Sequence, residues 1–185
     1  EVQGCTSVAS AGCVGTTILA DNHSVGFSIG NYDPEYDLII DPILDYSTYV
    51  GGEKNDKGLS IAVDQTGSAY IAGTTRSISF PLQNPLQGNI EGNRDAFILK
   101  LTPEGNALEY ATYIGGNQDE GEDWDDDEDD NDPGKALVVD YEGHAYLAGT
   151  TSSKDNFPLV NAIQPEYGGG PRDAYIVKLS PDGNQ

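Results

Sequence analysis

An all-β fold of tandem four-stranded antiparallel units, the second of them incomplete, is what this 185-residue sequence predicts. Three observations predict it. Tyr, Ile, Val and Thr are plentiful and are punctuated by 23 Gly and 10 Pro, the composition of short strands joined by tight turns. No stretch sustains a helical period. The chain also repeats itself: "LDYSTYVGG" from Leu44 returns as "LEYATYIGG" from Leu108, and "IAVDQTGSAYIAGTT" from Ile61 returns as "LVVDYEGHAYLAGTT" from Leu137. "FPLQNPLQ" from Phe80 returns as "FPLVNAIQ" from Phe157, and "RDAFILKLTPEGN" from Arg94 as "RDAYIVKLSPDGN" from Arg172.

Each unit parses into two hairpins. In the first, Leu59 to Asp64 and Ser68 to Thr74 flank the turn "QTG", and Asp95 to Leu101 leads through "TPEGN" to Leu108 to Ile114. In the second, Ala136 to Asp140, His144 to Thr150 and Asp173 to Leu179 are the matching strands, and no counterpart of the fourth follows within the 185 residues. The repeat offset grows from 64 to 78 residues, mostly between Gly116 and Leu137, so an acidic insertion occupies a loop there. "DAFILKL" is apolar at both odd and even positions, as a strand buried on both faces must be. Four-stranded sheets stacked face to face are propeller blades.

These units resemble SBBP repeats, a family named for a predicted seven-bladed β-propeller. "YSTYVGG", "IAVDQTGSAYIAGTT", "FPLQNPLQ" and "DAFILKLTPEG", with their second copies, carry the resemblance across Leu44 to Asn184. It implies large secreted or cell-surface proteins and transfers no catalytic residue. "VGFSIGNYDPEYDLIIDP", Val25 to Pro42, resembles the close of a β-rich module that precedes such repeats. Two repeats fall short of seven, and the insertion departs from the pattern. Four segments follow: 1–42, a short N-terminal β segment; 43–116, the first repeat; 117–135, the insertion; and 136–185, the rest of the second repeat.

Leu44 to Val50 is then a fourth strand without a blade, and the second blade is a sheet without a fourth strand. Three resolutions stand side by side. The segment completes the second blade of a neighbouring copy, with Leu44, Tyr46, Thr48, Tyr49 and Val50 as the assembly strand; the chain is cut from a longer array; or the segment pairs with Thr16 to Ala20 and Ser24 to Ile29. The first contact is heterologous and generates a ring or a filament.

Net charge is −22, which argues against nucleic acid and anionic membrane surfaces as partners. Of 31 acids, 11 fall between Asp119 and Asp132 with no base among them. Such a run is either a solvated, self-repelling loop or a source of hard oxygen ligands for Ca²⁺. Asp119, Glu122, Asp123, Asp125, Asp127 and Asp129 are the candidate calcium ligands, in a spacing that is not an EF-hand, and Trp124 suggests that part of the loop packs down. Cys5 and Cys13 close a loop that a disulfide would stabilise by about 2.5 kcal/mol; two free thiols are the alternative. "NHS" makes Asn22 a glycosylation acceptor. The chain has no Met and begins at Glu1, which fits a removed leader or an excised piece, and no apolar run approaches the ~20 residues of a membrane span.

Catalytic signatures are missing. His23 and His144 have no Ser or Cys partner in a recognisable motif, and His144 replaces Ser68 in a turn, so an exposed turn residue is expected. Asp64 and Asp140 read as turn residues, Asp95 and Asp173 as strand-start residues, and Arg94 and Arg172 as members of structural ion pairs. The expectation is a non-enzymatic, extracellular or cell-surface structural protein that assembles as a homo-oligomer or homopolymer with calcium as a stiffening ion. The alternative is a binding module for a glycan or protein ligand.

Overall fold

The computed structural model describes residues 44–121 and 136–184, and the backbone strands Thr16–Asp21 and Ser24–Ile29. The chain divides into two compact units, 1–43 and 44–185. In the first, β1 (Thr16–Asp21) and β2 (Ser24–Ile29) pair antiparallel from Thr16 opposite Ile29 to Asp21 opposite Ser24.

The second unit holds two antiparallel sheets and, among the described residues, no helix. The first sheet runs β3 (Asp56–Val63), β4 (Ala69–Thr75), β5 (Asp95–Leu101), β6 (Leu108–Ile114) in spatial order, and the second β7 (Ala136–Val139), β8 (Ala145–Thr151), β9 (Asp173–Leu179). Strand follows its sequence neighbour throughout, the meander of a propeller blade. The all-β reading, with one complete and one incomplete blade, is what the structure contains. The strands expected at 24–29, 95–101, 108–114 and 173–179 fall on those residues; those expected at 16–20, 59–64, 68–74, 136–140 and 144–150 differ by one to three positions at an end.

Local chemistry explains the hairpins. Asp64 Oδ1 accepts the Thr66 and Ser68 amides at 2.9 and 3.1 Å, and Gly67 supplies the left-handed backbone, φ +91°, that closes the turn. Asp140 repeats this with the Glu142 and His144 amides at 3.0 and 2.9 Å and Gly143 at φ +87°. Both aspartates are turn residues, as expected. His144 is half-buried instead of exposed, because its Nδ1 lies 3.1 Å from Asp140 Oδ2 and the ring folds over its own turn.

The two faces of the first sheet carry different cores. Tyr70, Ile98, Tyr110 and Ile114 meet Leu137, Leu147, Tyr175 and Leu179 of the second sheet in a blade-to-blade core. On the opposite face Phe97, Leu99 and Tyr113 pack with Phe80, Leu82 and Val50. β5 is therefore buried at every position. β9 keeps only its inward face covered. Ile176 is 81% exposed, whereas its repeat counterpart Ile98 is fully buried. Ile98→Ala is expected to cost roughly 2–5 kcal/mol by cavity formation, and Ile176→Ala less than about 0.5 kcal/mol. Urea unfolding of the two variants checks this asymmetry.

Candidate docking groove

Strand β6 lies in a slot with two walls. One wall is β5, paired from Ala96 opposite Ile114 to Leu101 opposite Leu108. The other is the segment 83–87. Gln83 and Ala111 exchange backbone hydrogen bonds of 3.2 and 2.8 Å. Gln87 does the most: its amide donates to Thr112 Oγ1 at 2.9 Å, its carbonyl accepts the Tyr113 amide at 3.3 Å, and its Oε1 accepts the Gly115 amide at 2.9 Å. Its Nε2 donates to Asp95 Oδ2 at 2.6 Å. These bonds cap the edge of β6 and leave no row of open backbone groups there.

The second blade has both walls and no strand between them. Among the described residues nothing pairs with the outer edge of β9. Phe157, Val160, Ile163 and Gln164 are the repeat counterparts of Phe80, Gln83, Leu86 and Gln87, and the turn residues Asn84 and Asn161 share a left-handed backbone, φ +45° and +50°. With β9 they border an open groove of about 660 Å³ that also takes in Thr151, Ser153 and Asp173. Val160 and Ile163 stand almost fully in solvent, and Gln164 Nε2 donates only to the nearby Glu166 carbonyl at 2.9 Å. Apolar surface of this extent at a sheet edge marks a contact site.

Residues 44–50 supply a candidate occupant, but they do not form a strand. A strand exists through its ladder, and this segment lies in no sheet, so the expected β-strand is corrected to an unpaired segment. What it does is pack on the outer face of the first blade as β6 packs on the second. Tyr46 covers Gly105, where a Cβ would stand 2.4 Å from the ring; Tyr110 covers Gly183, the repeat counterpart, at the same 2.4 Å. Both glycines have positive φ, +65° and +71°. The Gly52 amide donates to Asp56 at 2.8 Å, and Ser77 Oγ donates to the same carboxylate at 3.0 Å. Gly116 and Ser153 do the same to Glu120, at 3.3 and 2.6 Å. The Lys54 and Gln118 amides donate to Ser77 and Ser153 at 2.8 and 3.0 Å. Glu53 adds a tether by accepting the Ile78 and Ser79 amides. Segment 44–56 is thus held where the last strand of a preceding blade belongs. Val50 is half-buried against Phe97 and Leu99, while Tyr49 is fully exposed; its counterpart Tyr113 is fully buried and donates to the Ser77 carbonyl at 2.7 Å.

The blade junction also holds a buried pair of carboxyls. A Cβ on Gly115 would lie 2.4 Å from Glu120 Oε2 and 2.5 Å from Asp95 Cγ, so two carboxyls meet across the bare glycine. Glu120 is fully buried, and its Oε2 meets no N–H or hydroxyl donor. The contact with Asp95 is a hydrogen bond only if the pair keeps a proton. Burial pushes Glu120 up to about 7, with the Asp95 charge adding to it and bonds from Ser153 and Thr151 opposing. Asp95 is also raised, by burial first, despite bonds from the Glu91 and Gly92 amides and Gln87. Arg94 beside it is buried and serves the backbone: Nε donates to the Glu120 carbonyl and Nη2 to the Gly121 carbonyl, both at 3.1 Å. Its carboxylate neighbour is Asp119 at 3.9 Å. The ion pair expected of Arg94 runs across the junction. On the first blade's edge, Lys100 Nζ sits 2.8 Å from Glu109 and 5.1 Å over the Tyr70 ring; Lys178 sits 5.1 Å over Tyr146, with Asp140 and Glu142 as the acids whose charge acts on it.

Of the calcium ligands expected, Asp119 is described. Its carboxylate faces Arg94, its Oδ1 is buried without a donor, and its carbonyl accepts the Ser152 amide and hydroxyl. Glu122, Asp123, Asp125, Asp127 and Asp129 lie outside the described residues, as do Cys5, Cys13 and Asn22. Glu120, read as part of the acidic insertion, is a repeat element equivalent to Asp56. The carboxylates of Asp140 and Glu142 and His144 Nδ1 also lie within 4.8 Å of one another. Asp140 there is already committed to the two turn amides, His144 and the Tyr146 hydroxyl.

Residues 45–81 match the family model SBBP, described as a Beta-propeller repeat. The span opens inside segment 44–50 and runs through β3 and β4 to Pro81, so the resemblance read from the sequence holds there. No curated protein and no solved structure matches the chain.

Proposed function

We propose that this chain, which carries an SBBP repeat at residues 45–81, is a non-enzymatic extracellular structural protein whose copies add head to tail into a filament. One observation carries the reading. Segment 44–56 occupies the place of a preceding blade's last strand, anchored by the same glycine, serine and acid contacts that join the two blades within the chain. The two outer faces agree with it. Ile61, on the face toward that missing blade, is 66% exposed, while its counterpart Leu137 at the internal junction is 6% exposed. Ile176, on the opposite end, is as bare as Ile98 is buried. The end of one copy therefore offers what the start of the next lacks. Such a contact is heterologous and propagates. Negative-stain microscopy of the chain tests this: regular fibres are expected, and dispersed particles of single-chain mass at every concentration would contradict it.

Calcium binding by the acidic insertion is the second part of the reading, supported by the density of acids and by the donorless, buried Asp119 Oδ1. Excess chelator is expected to lower the melting temperature by several degrees and to shorten the fibres. An unchanged melting curve on calcium removal and return would sink it. The open groove also favours a second reading, a binding module that takes a glycan or protein segment there; a ligand-dependent melting shift of a monomeric particle would select it.

A further inference from the structure

We propose that the groove on the second blade is a peptide-docking site for residues 44–52 of a second copy, seated in the register of β6 and anchored by Gln164. The inference deepens the head-to-tail reading and rests on it. The sequence correspondence of the repeats fixes the register: Val50 comes opposite Ala174, Tyr49 opposite Tyr175, Ser47 opposite Val177 and Tyr46 opposite Lys178, as Ile114, Tyr113, Ala111 and Tyr110 stand opposite Ala96, Phe97, Leu99 and Lys100. Main-chain bonds to β9 supply affinity, and alternate side chains fix the register.

Four further correspondences select this occupant. Tyr49, fully exposed in the single chain, reaches Phe157 and the Ser153 carbonyl, where Tyr113 meets Phe80 at 6.1 Å between ring centroids and donates to the Ser77 carbonyl. Asp45 comes to Lys178 as Glu109 comes to Lys100 at 2.8 Å, which complements the cation in that register. Gly51 passes Asp173 as Gly115 passes Asp95, a place where a Cβ would collide with the carboxyl. Finally, Gln164 keeps its local bond to the Glu166 carbonyl, as Gln87 keeps one to the Asn89 carbonyl at 2.9 Å, and adds the four further bonds of Gln87: amide to threonine hydroxyl, carbonyl to tyrosine amide, and side-chain amide to glycine amide and aspartate. The ligand class is an extended peptide of the pattern acid-Tyr-x-Thr-Tyr-x-Gly-Gly.

Calorimetry of the full chain carrying Tyr49→Asp, titrated with a synthetic peptide of residues 44–53, tests the site. That substitution lies on an exposed ring and removes the donor while leaving the groove open. The expected result is one peptide per chain, binding weakened at least tenfold by Gln164→Ala and lost when the peptide carries Gly51→Val. No binding, or binding indifferent to both changes, overturns the proposal. Fibres that persist in the Tyr49→Asp chain alongside no peptide binding would leave head-to-tail growth standing on another contact. Peptide binding by an unmodified chain that never self-associates would leave the groove standing and remove the filament.

Discussion

Arg94→Ala is expected to destabilise the two-blade unit by roughly 3–5 kcal/mol, the range for removing one partner of a buried charge network. The guanidinium is almost wholly buried and spans the junction, holding the Glu120 and Gly121 carbonyls at 3.1 Å with Asp119 behind them. Its removal strands two carbonyls away from water, at the cost of unmade hydrogen bonds. Arg94→Lys restores the charge but not the fork that reaches two carbonyls, so it should recover a minority of the loss. Chemical denaturation gives all three values. An Arg94→Ala variant within 1 kcal/mol of the parent would mean that the blades are joined by apolar packing alone.

The second large effect is a dependence on pH set by the buried acid pair. Glu120 holds its proton up to about pH 7 in the folded chain, against 4.5 for the free side chain. The folded state binds that proton more tightly. Its stabilising contribution is therefore complete below about pH 4.5 and lost as pH rises toward 7, with a magnitude on the order of 3 kcal/mol. Glu120→Gln keeps an oxygen for Thr151, Ser153 and the Gly116 amide and offers an N–H to Asp95 in place of the carboxyl proton. The variant should lose most of the pH dependence between 4.5 and 7 and exceed the parent in stability at pH 8. Parallel stability-pH profiles for the two chains would refute the shared proton. The general self-repulsion of an acidic chain affects both equally and cancels in the comparison.

Much of the architecture was legible because the chain states it twice. Hydrophobic period and turn residues placed β5, β6 and β9 on their residues, and Asp64 and Asp140 announced their turns through the Asp-x-x-Gly spacing. Segment 44–50 shows the limit. Its sequence is that of β6, yet a strand also requires an edge, and none is beside it among the described residues. Glu120 was hidden by the acids that follow it, although Gly-Gly-x₃-acid recurs at Gly51 to Asp56 and Gly115 to Glu120 and could have separated it from the insertion. Gln87 and Gln164 gave no local signal. Their role depends on a strand about 25 residues away, or in another copy, and only the recurring "FPL" segments mark the place.

Donor and acceptor can be disabled separately on exposed residues, which gives the most direct test of the central claim. The Tyr49→Asp chain lacks a donor strand and keeps its groove. The Ile176→Asp chain keeps its strand, and any occupant of its groove would bury a carboxylate. Both positions lie in solvent in the single chain, so neither change disturbs the fold. Sedimentation velocity of each variant and of their equimolar mixture measures the outcome. The account predicts that each alone is a monomer and that the mixture forms a one-to-one heterodimer and nothing larger. A mixture that stays monomeric, or a single variant that still polymerises, would contradict it.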